Sequence, residues 1–208
     1  MKVAIMGEHT GVIRDAFIAC GHDAISCDLL DTEAPGPHYK GNMFDLIDYP
    51  WDLAIFHPEC THLAVSGSLR FEEKRFDGRQ QSSVAFFMRI VRQSSHIKRT
   101  AIENPVCIMS TLYRKPDQII QPYQFGHDAS KATCLWLKGL PLLKPTLLVE
   151  PRIVDGKPRW ANQTDSGQNK LPPSKDRWKL RSATYKGIAS AMAEQWGESQ
   201  RNIDFSAA

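Results

Sequence analysis

The chain has 208 residues, 26 Lys and Arg against 23 Asp and Glu, and a formal net charge of +3. This length suits one domain with at most a small appendage, and 42% apolar with 24% charged residues is ordinary for a globular protein. No apolar run reaches the roughly 18 residues of a membrane span, and the apolar start is too short for a signal peptide. The mild positive charge permits nucleic-acid binding without requiring it.

The opening of the chain predicts a strand, a turn, a helix and a second strand. Residues 2–6 are β-prone, and residues 12–20 place their apolar side chains on one helical face before Gly21. Residues 24–27 lead to Asp28, a second strand that ends in an acid. Such an opening is typical of a nucleotide-binding half of an α/β sheet, and Asp28 lies about where a ribose-binding acid belongs.

Two further runs predict buried parallel strands that end in reactive side chains. Residues 52–56 end in His57-Pro58-Glu59-Cys60, and proline stops the strand because it has no N–H for the ladder. Residues 100–102 end in Glu103-Asn104 and again a proline. Open α/β sheets place their chemistry at the carboxyl ends of parallel strands. The thiol and the carboxylate are therefore expected at the same edge of the sheet.

The rest of the chain divides into simpler predictions. We expect a loop at 61–78, helices at 79–95, 106–112 and 182–196, an irregular aromatic segment at 115–127 and a strand at 131–137. Residues 142–180 hold many prolines and a basic run with two tryptophans, which suits phosphate contact and stacking. The expected organisation is a core at 1–140, a short recognition or flap segment at 141–180, and a closing helix with a frayed tail at 181–208.

The PEC and ENP strand ends resemble the cytosine-C5 methyltransferase family. In that family a Pro-Cys motif carries the nucleophile and a Glu-Asn motif carries the acid, which here match Cys60 and Glu103 with Asn104. The resemblance implies an α/β fold of the Rossmann-like class I methyltransferase type, mostly parallel, with helices on both faces. It also implies S-adenosyl-L-methionine as cofactor and cytosine, most readily in DNA, as substrate. Thiolate addition at C6 activates C5, and an acid at N3 makes that addition easier.

The resemblance also implies the remaining site residues. The cofactor pocket would comprise Gly7, Glu8, Thr10, Gly11, Asp28 and Asp45, and Glu8 could instead cap the following helix. Substrate contacts would come from Pro58, Ser66, Lys131 and Thr133. The sequence departs from the family after Gly11, where further glycines are replaced by Val12-Ile13-Arg14. The segment at 141–180 is also shorter than a full target-recognition domain, as in a small phage-type member.

Other interpretations remain open from the residues alone. His57, Cys60 and His62, with Cys107, His127 and Cys134 elsewhere, are residue types that bind zinc. A methyltransferase fold whose cofactor turn has decayed would bind or sequester a nucleotide or a partner. A short recognition segment also suits methylation of RNA or of a free nucleotide. Five cysteines, an odd number without a CxxC pair, favour free thiols and a cytoplasmic location.

Overall fold

The computed structural model describes residues 1–175 and 177–198 and contains a seven-stranded sheet. The strands are β1 Lys2–Met6, β2 Asp23–Asp28, β3 His38–Lys40, β4 Leu53–Phe56, β5 Thr100–Pro105, β6 Gln118–Ile120 and β7 Thr133–Lys138. Their order is β3-β2-β1-β4-β5-β7-β6. The first five in this order are parallel, and β7 runs antiparallel to both β5 and β6. The sheet is thus mixed but mostly parallel, as the sequence predicts.

Helices cover both faces of this sheet. They are α1 Val12–Ala19, α2 Phe71–Phe76, α3 Arg79–Gln93, α4 Met109–Leu112, α5 Arg177–Ser182 and α6 Lys186–Glu198. Helices α1 and α6 share one buried apolar cluster with one face of the sheet, and α3 and α4 share a second cluster with the other face. The expectation of an α/β fold with helices on both faces is confirmed at this level.

Strict alternation along the central strands produces the two clusters. Val3 and Ile5 point to the α1 and α6 side, while Ala4 and Met6 point to the α3 side, because successive strand residues face opposite ways. All four are fully buried. Central parallel strands of this kind are apolar on both faces, which explains why their sequences are continuous hydrophobic runs.

Two segments that are expected to be irregular contain regular structure. Part of the predicted loop at 61–78 forms a 3₁₀ helix at Val65–Arg70 followed by α2. The segment predicted to be irregular at 115–127 contains the edge strand β6, which is only three residues long. The expected frayed tail after Glu198 lies outside the described residues.

The segment after residue 141 splits into two parts. A hairpin of β8 Arg152–Val154 and β9 Lys157–Arg159 is followed by Trp160, whose ring stacks on Tyr123 with centroids 4.3 Å apart. Tyr123 is therefore engaged within the protein, and Phe125 is buried in the core. Both rings thus belong to the packed part of this segment. Helix α5 forms the second part.

Among the residues that the structure describes, no helix has both the length and the apolar character needed to cross a membrane.

Candidate active site

The carboxyl ends of β4 and β5 bring a histidine and a glutamate together. The two strands pair in parallel with Phe56 beside Ile102, so the next residues, His57 and Glu103, are neighbours at the edge. His57 Nδ1 lies 3.2 Å from Glu103 Oε2. An ionised carboxylate only accepts hydrogen bonds, so the hydrogen of this pair is carried by Nδ1. Both side chains are mostly buried, with 13% and 18% of their surfaces exposed.

The surroundings of Glu103 favour its charged form. Burial alone would raise the pKa of the carboxyl, but the hydrogen bond and charge of His57 act against it, followed by the Lys131 ammonium and the Thr133 hydroxyl. Together these contacts hold the pKa of Glu103 below its usual range. The structure thus places Lys131 and Thr133, two of the predicted substrate-binding residues, beside the predicted acid. Glu103 is a carboxylate at neutral pH in the free protein.

Cys60 lies past the end of β4 in a setting that keeps its thiol protonated. Pro58 is buried and ends the strand, and Cys60 is half-buried in the turn that follows. Burial raises the pKa of the Cys60 thiol first, and the nearby Glu103 carboxylate raises it further, while the Lys131 ammonium acts in the opposite direction. The Cys60 thiol is therefore protonated at neutral pH, and the Glu103 carboxylate is ionised.

A cavity opens beside Glu103 on the α6 face of the sheet. Its walls are Glu103, Lys131, Thr133, Thr184, Tyr185, Ile188 and Met192. The strand side of the cavity is polar and charged, whereas the first turn of α6 supplies apolar side chains.

Buried polar atoms without partners concentrate at this edge of the sheet. Within the described residues, five buried side-chain nitrogens lack a hydrogen bond: His9 Nε2, His57 Nε2, His62 Nδ1, Asn104 Nδ2 and Trp160 Nε1. The first four belong to segments at or just beyond the carboxyl ends of β1, β4 and β5. Each such atom costs about 1–3 kcal/mol unless a partner arrives. A polar ligand or water at this edge would supply such partners.

The family resemblance implies that Asn104 holds the loop after Cys60, and the described structure shows no such hydrogen bond from its amide nitrogen. Its side chain is 1% exposed, and its Nδ2 makes no hydrogen bond to the loop within the described part of the chain. The loop after Cys60 is held instead by the Lys74 ammonium, which donates to the carbonyl of Thr61 at 2.7 Å. Gln80 similarly donates to the carbonyl of His62.

Ser66 lies apart from the cavity. It is exposed on the 3₁₀ helix at Val65–Arg70, and no hydrogen bond of its side chain is found among the described residues. Of the four predicted substrate-binding residues, two therefore line the cavity, Pro58 ends the strand that carries Cys60, and Ser66 has no contact there.

The turn between β1 and α1 is closed by its own side chains. Glu8 is buried, and its carboxylate accepts the backbone N–H groups of Ile13 at 2.7 Å and Arg14 at 3.2 Å. Thr10 donates weakly to the same carboxylate at 3.4 Å. Of the two roles considered for Glu8, the structure displays the capping of α1, where an acid also complements the positive end of the helix dipole.

The two glycines of this turn are required by geometry. Gly7 has φ +85° and Gly11 has φ +75°, a region that favours glycine. A Cβ on Gly7 would lie 2.4 Å from the carbonyl oxygen of His57, and one on Gly11 would lie 2.4 Å from Arg14 Nη2. Gly7 thus packs directly against the strand end that carries the His57–Glu103 pair.

The guanidinium of Arg14, which follows the turn between β1 and α1, is fixed by several hydrogen bonds. Arg14 is completely buried and donates to Ser26, Thr32 and the carbonyls of Ala34 and Pro35. It therefore fastens the chain between β2 and β3 against α1.

Asp28 stands at the end of β2 with an oxygen available. Its Oδ1 accepts the N–H of Leu30 at 3.0 Å, while Oδ2 lies 3.9 Å from His9 Nδ1, beyond hydrogen-bond distance. Asp45 follows β3 in a short 3₁₀ helix and accepts the Tyr39 hydroxyl at 3.0 Å. Both acids thus lie beyond the carboxyl ends of strands, at the edge where the cofactor is predicted to bind.

Sequence reasoning missed three contributors to this edge. The sequence indicates His57 as a strand end and a zinc-ligand type, and it assigns no site role to Tyr185 or His9. The position of His57 directly after a strand was a usable signal, because Glu103 occupies the same position on the neighbouring strand. Nothing in the sequence alone placed Tyr185 beside Glu103.

The zinc interpretation finds no ligand set here. Within the described ranges, no three His, Cys, Asp or Glu side chains are grouped to hold a metal ion. His127 Nε2 instead accepts the N–H of Gly187 at 2.9 Å.

Comparisons with known proteins return no relative. A scan of the chain against protein-family models finds no match, and a search of curated protein sequences finds none at a significant level.

Proposed function

We propose that this protein is an S-adenosyl-L-methionine-dependent methyltransferase that acts on C5 of cytosine through a covalent adduct of Cys60. The observation that carries the proposal is the placement of the Cys60 thiol and the Glu103 carboxylate at one strand edge, each perturbing its surroundings electrostatically. The strand order, with β7 inserted antiparallel between β5 and β6, also fits a Rossmann-like class I methyltransferase.

The free protein holds the right number of protons for this chemistry. Addition of Cys60 to cytosine needs a thiolate on Cys60 and a proton on Glu103 that can pass to N3 of the base. The resting pair has one proton on sulfur and a negative charge on the carboxylate. Moving that single proton from Cys60 to Glu103 produces the reactive pair with no change in net charge. Binding of a base that contacts the carboxylate would favour this transfer, since the ring N3 accepts the proton.

The adduct then activates C5. The sulfur of Cys60 forms a bond to C6 as N3 takes the proton, and the C5–C6 π electrons become available at C5. Once C5 has gained a methyl group, with S-adenosyl-L-homocysteine as the leaving group, loss of the C5 hydrogen as a proton would restore the C5–C6 double bond and expel the Cys60 thiolate. N3 would return its proton to Glu103. In this scheme His57 is a positioning residue, because its Nδ1–H fixes the Glu103 carboxylate at 3.2 Å.

The residues at the ends of β1 and β2 fit the cofactor in part. Within the described residues Asp28 retains an oxygen without a hydrogen bond, while His9, whose Nδ1 lies 3.9 Å from that oxygen, has its Nε2 3.5 Å from Glu33 Oε1. Asp28 would hold the ribose, Asp45 would approach the adenine, and the backbone of Gly7 to Gly11 would line the methionine part. Glu8 and Thr10 would act by shaping this turn. S-adenosyl-L-methionine, when bound, supplies an electrophilic methyl group.

DNA is the substrate we propose, and a base in a duplex would have to be flipped out to reach Cys60. A cytoplasmic location is part of the same proposal. One observation favours a second candidate, a nucleotide-binding protein without methyl transfer: the polar side chain of Glu8 is already used within the cofactor turn. Methylation of RNA or of a free nucleotide would use the same Cys60 and Glu103 chemistry.

Calorimetric titration with S-adenosyl-L-methionine, followed by mass spectrometry of nucleosides from incubated DNA, RNA and free nucleotides, tests the proposal. We expect micromolar binding and 5-methylcytosine in DNA. The Cys60→Ala variant should bind the cofactor as the wild type does and form no 5-methylcytosine. Methylation by that variant would remove the thiol from the mechanism. Absence of cofactor binding would leave the nucleotide-binding candidate.

A further inference from the structure

The positive charge of the chain is concentrated in one short segment. Residues 167–193 contain six Lys and Arg but only one acid, Asp176. This excess is larger than the net charge of +3 for the whole chain, so the rest of the protein is net acidic. Such asymmetry marks a surface for an anionic partner.

The cations of this segment have no carboxylate partner among the described residues. None of the six, which are Lys170, Lys175, Arg177, Lys179, Arg181 and Lys186, forms an ion pair within residues 1–175 and 177–198. Elsewhere Arg79, Arg114 and Arg152 each have a carboxylate partner. The charges on and around α5 thus remain available.

Helix α5 also exposes large apolar side chains between its cations. Trp178 is 52% exposed and Leu180 is 61% exposed. The ammonium of Lys179 lies 5.7 Å from the centre of the Trp178 ring. Exposed aromatic rings interleaved with cations are the surface that single-stranded nucleic acids use, with bases stacking and phosphates meeting Lys and Arg.

The segment is joined to both halves of the candidate active site. The Trp178 ring is 6.3 Å from the His9 ring, at the turn beside Asp28. The carbonyl of Ala183 accepts a hydrogen bond from Lys131 Nζ at 3.2 Å, and Lys131 lies beside Glu103. A polymer lying along α5 therefore passes next to the cavity that contains Glu103.

We infer that α5 and its flanking lysines form a polynucleotide-binding surface that holds the phosphodiester backbone on either side of a base placed at Cys60. This inference deepens the proposed function by naming how a nucleic-acid substrate is held, and it rests on that function for the base. Charge complementarity selects a polyanion. The contact of Trp178 with the edge of the active site favours a strand with accessible bases over an anionic membrane.

Fluorescence anisotropy with a labelled 20-nucleotide single strand tests the surface. The measurement uses the full chain without S-adenosyl-L-methionine, over a series of salt concentrations. The test variant is Lys179→Gln/Arg181→Gln. The matched control is Arg92→Gln/Lys98→Gln, which removes one Arg and one Lys from exposed positions at the opposite, amino edge of the sheet.

Each phosphate contact on a single strand contributes about −0.7 to the slope of log K against log salt. The test variant should therefore bind about tenfold more weakly near physiological salt, with the slope reduced by about 1.4. The control variant should behave as the wild type does. Trp178→Ala should weaken binding while leaving the salt slope unchanged, because stacking releases no counterions.

Three outcomes would overturn the inference. They are equal losses in the test and control variants, no binding of the oligonucleotide by the wild type, or preferential binding of vesicles containing anionic phospholipid. The proposed chemistry is judged separately, since Cys60→Ala should bind the oligonucleotide as tightly as the wild type. If the wild type binds the oligonucleotide but methylates nothing, only the proposed chemistry has failed. If the wild type methylates DNA but the test variant binds the oligonucleotide normally, only the proposed surface has failed.

Discussion

The two halves of the sheet's carboxyl edge use their polar groups differently. At the ends of β1 and β2, the Glu8 carboxylate caps α1, and the Arg14 guanidinium donates hydrogen bonds to backbone and hydroxyl oxygens. At the ends of β4 and β5, His57 and Asn104 keep buried nitrogens without partners, and Cys60 faces a carboxylate. In the first half the turn is closed by its own side chains, and His9 Nε2 is the buried nitrogen without a hydrogen bond among its described residues. The second half carries the Cys60 and Glu103 side chains to which we assign the proposed chemistry.

The largest effect that separates the two halves is expected from a substitution that removes the acidic group of Glu103 but keeps its shape. Glu103→Gln retains the size of the side chain and can still accept from His57, but it cannot take the proton of Cys60. We expect methylation to fall by about 10²–10⁴-fold, the usual contribution of a general acid. Cofactor affinity, measured by calorimetry, should be unchanged. Methylation within a few-fold of wild type would exclude Glu103 as the proton carrier.

On the cofactor half, the largest effect is expected at Asp28. Asp28→Ala should weaken S-adenosyl-L-methionine binding by about 1–3 kcal/mol, the value of a charged hydrogen bond to the ligand. Asp45→Ala serves as a comparison, since Asp45 already holds the Tyr39 hydroxyl. Calorimetry provides both affinities. Unchanged affinity in the Asp28 variant would mean that the ribose lies elsewhere.

The structural character of the β1–α1 turn can be tested through its glycine. Gly11→Ala would force a Cβ into the Arg14 guanidinium, whereas Gly21→Ala has the same positive φ, near +80°, but nothing within 4 Å. Both variants bear backbone strain of about 1 kcal/mol or more. Chemical denaturation should show a further loss of about 1–3 kcal/mol in Gly11→Ala alone, since overpacking displaces the buried arginine. Equal losses of stability in the two variants would show that the Arg14 guanidinium moves aside without an energetic cost.

The smallest predicted effect concerns the pH dependence of thiol reactivity. The Glu103 carboxylate raises the pKa of Cys60, so replacing it by a neutral amide should lower that pKa and increase the thiolate fraction at pH 8. In a Cys20→Ser background, Glu103→Gln should therefore alkylate with iodoacetamide a few-fold faster at Cys60. Peptide mapping reads the site of alkylation. A slower reaction would contradict the assigned sign of the electrostatic interaction.

The parts that the sequence predicts well are those that local pattern determines. The parallel strands that end at Met6, Asp28 and Phe56, and the helix stopped at Gly21, follow from apolar runs, amphipathic spacing and breakers. The meeting of Cys60 with Glu103 follows from the rule that parallel strands share an edge. These inferences need no long-range information beyond the order of the strands.

Other features depend on tertiary contacts that no local pattern encodes. The approach of Tyr185 to Glu103, and of Trp178 to His9, is set by how the chain returns after residue 141. Strand β6 exists only because Ile119 and its neighbours pair with β7, since three residues carry too little pattern to be recognised. The stacking of Tyr123 on Trp160 likewise could not be foreseen from two aromatic loops.

The most direct test of the account is to trap the adduct on Cys60. With a 5-fluorocytosine-containing oligonucleotide and S-adenosyl-L-methionine, the adduct cannot lose a proton from C5 after methylation, so the Cys60–C6 bond should persist. Peptide mass spectrometry should then find the nucleotide on Cys60, only when S-adenosyl-L-methionine is present. Methylation of the ordinary oligonucleotide without any trapped adduct, or an adduct on another cysteine, would contradict the assignment of Cys60 as the nucleophile.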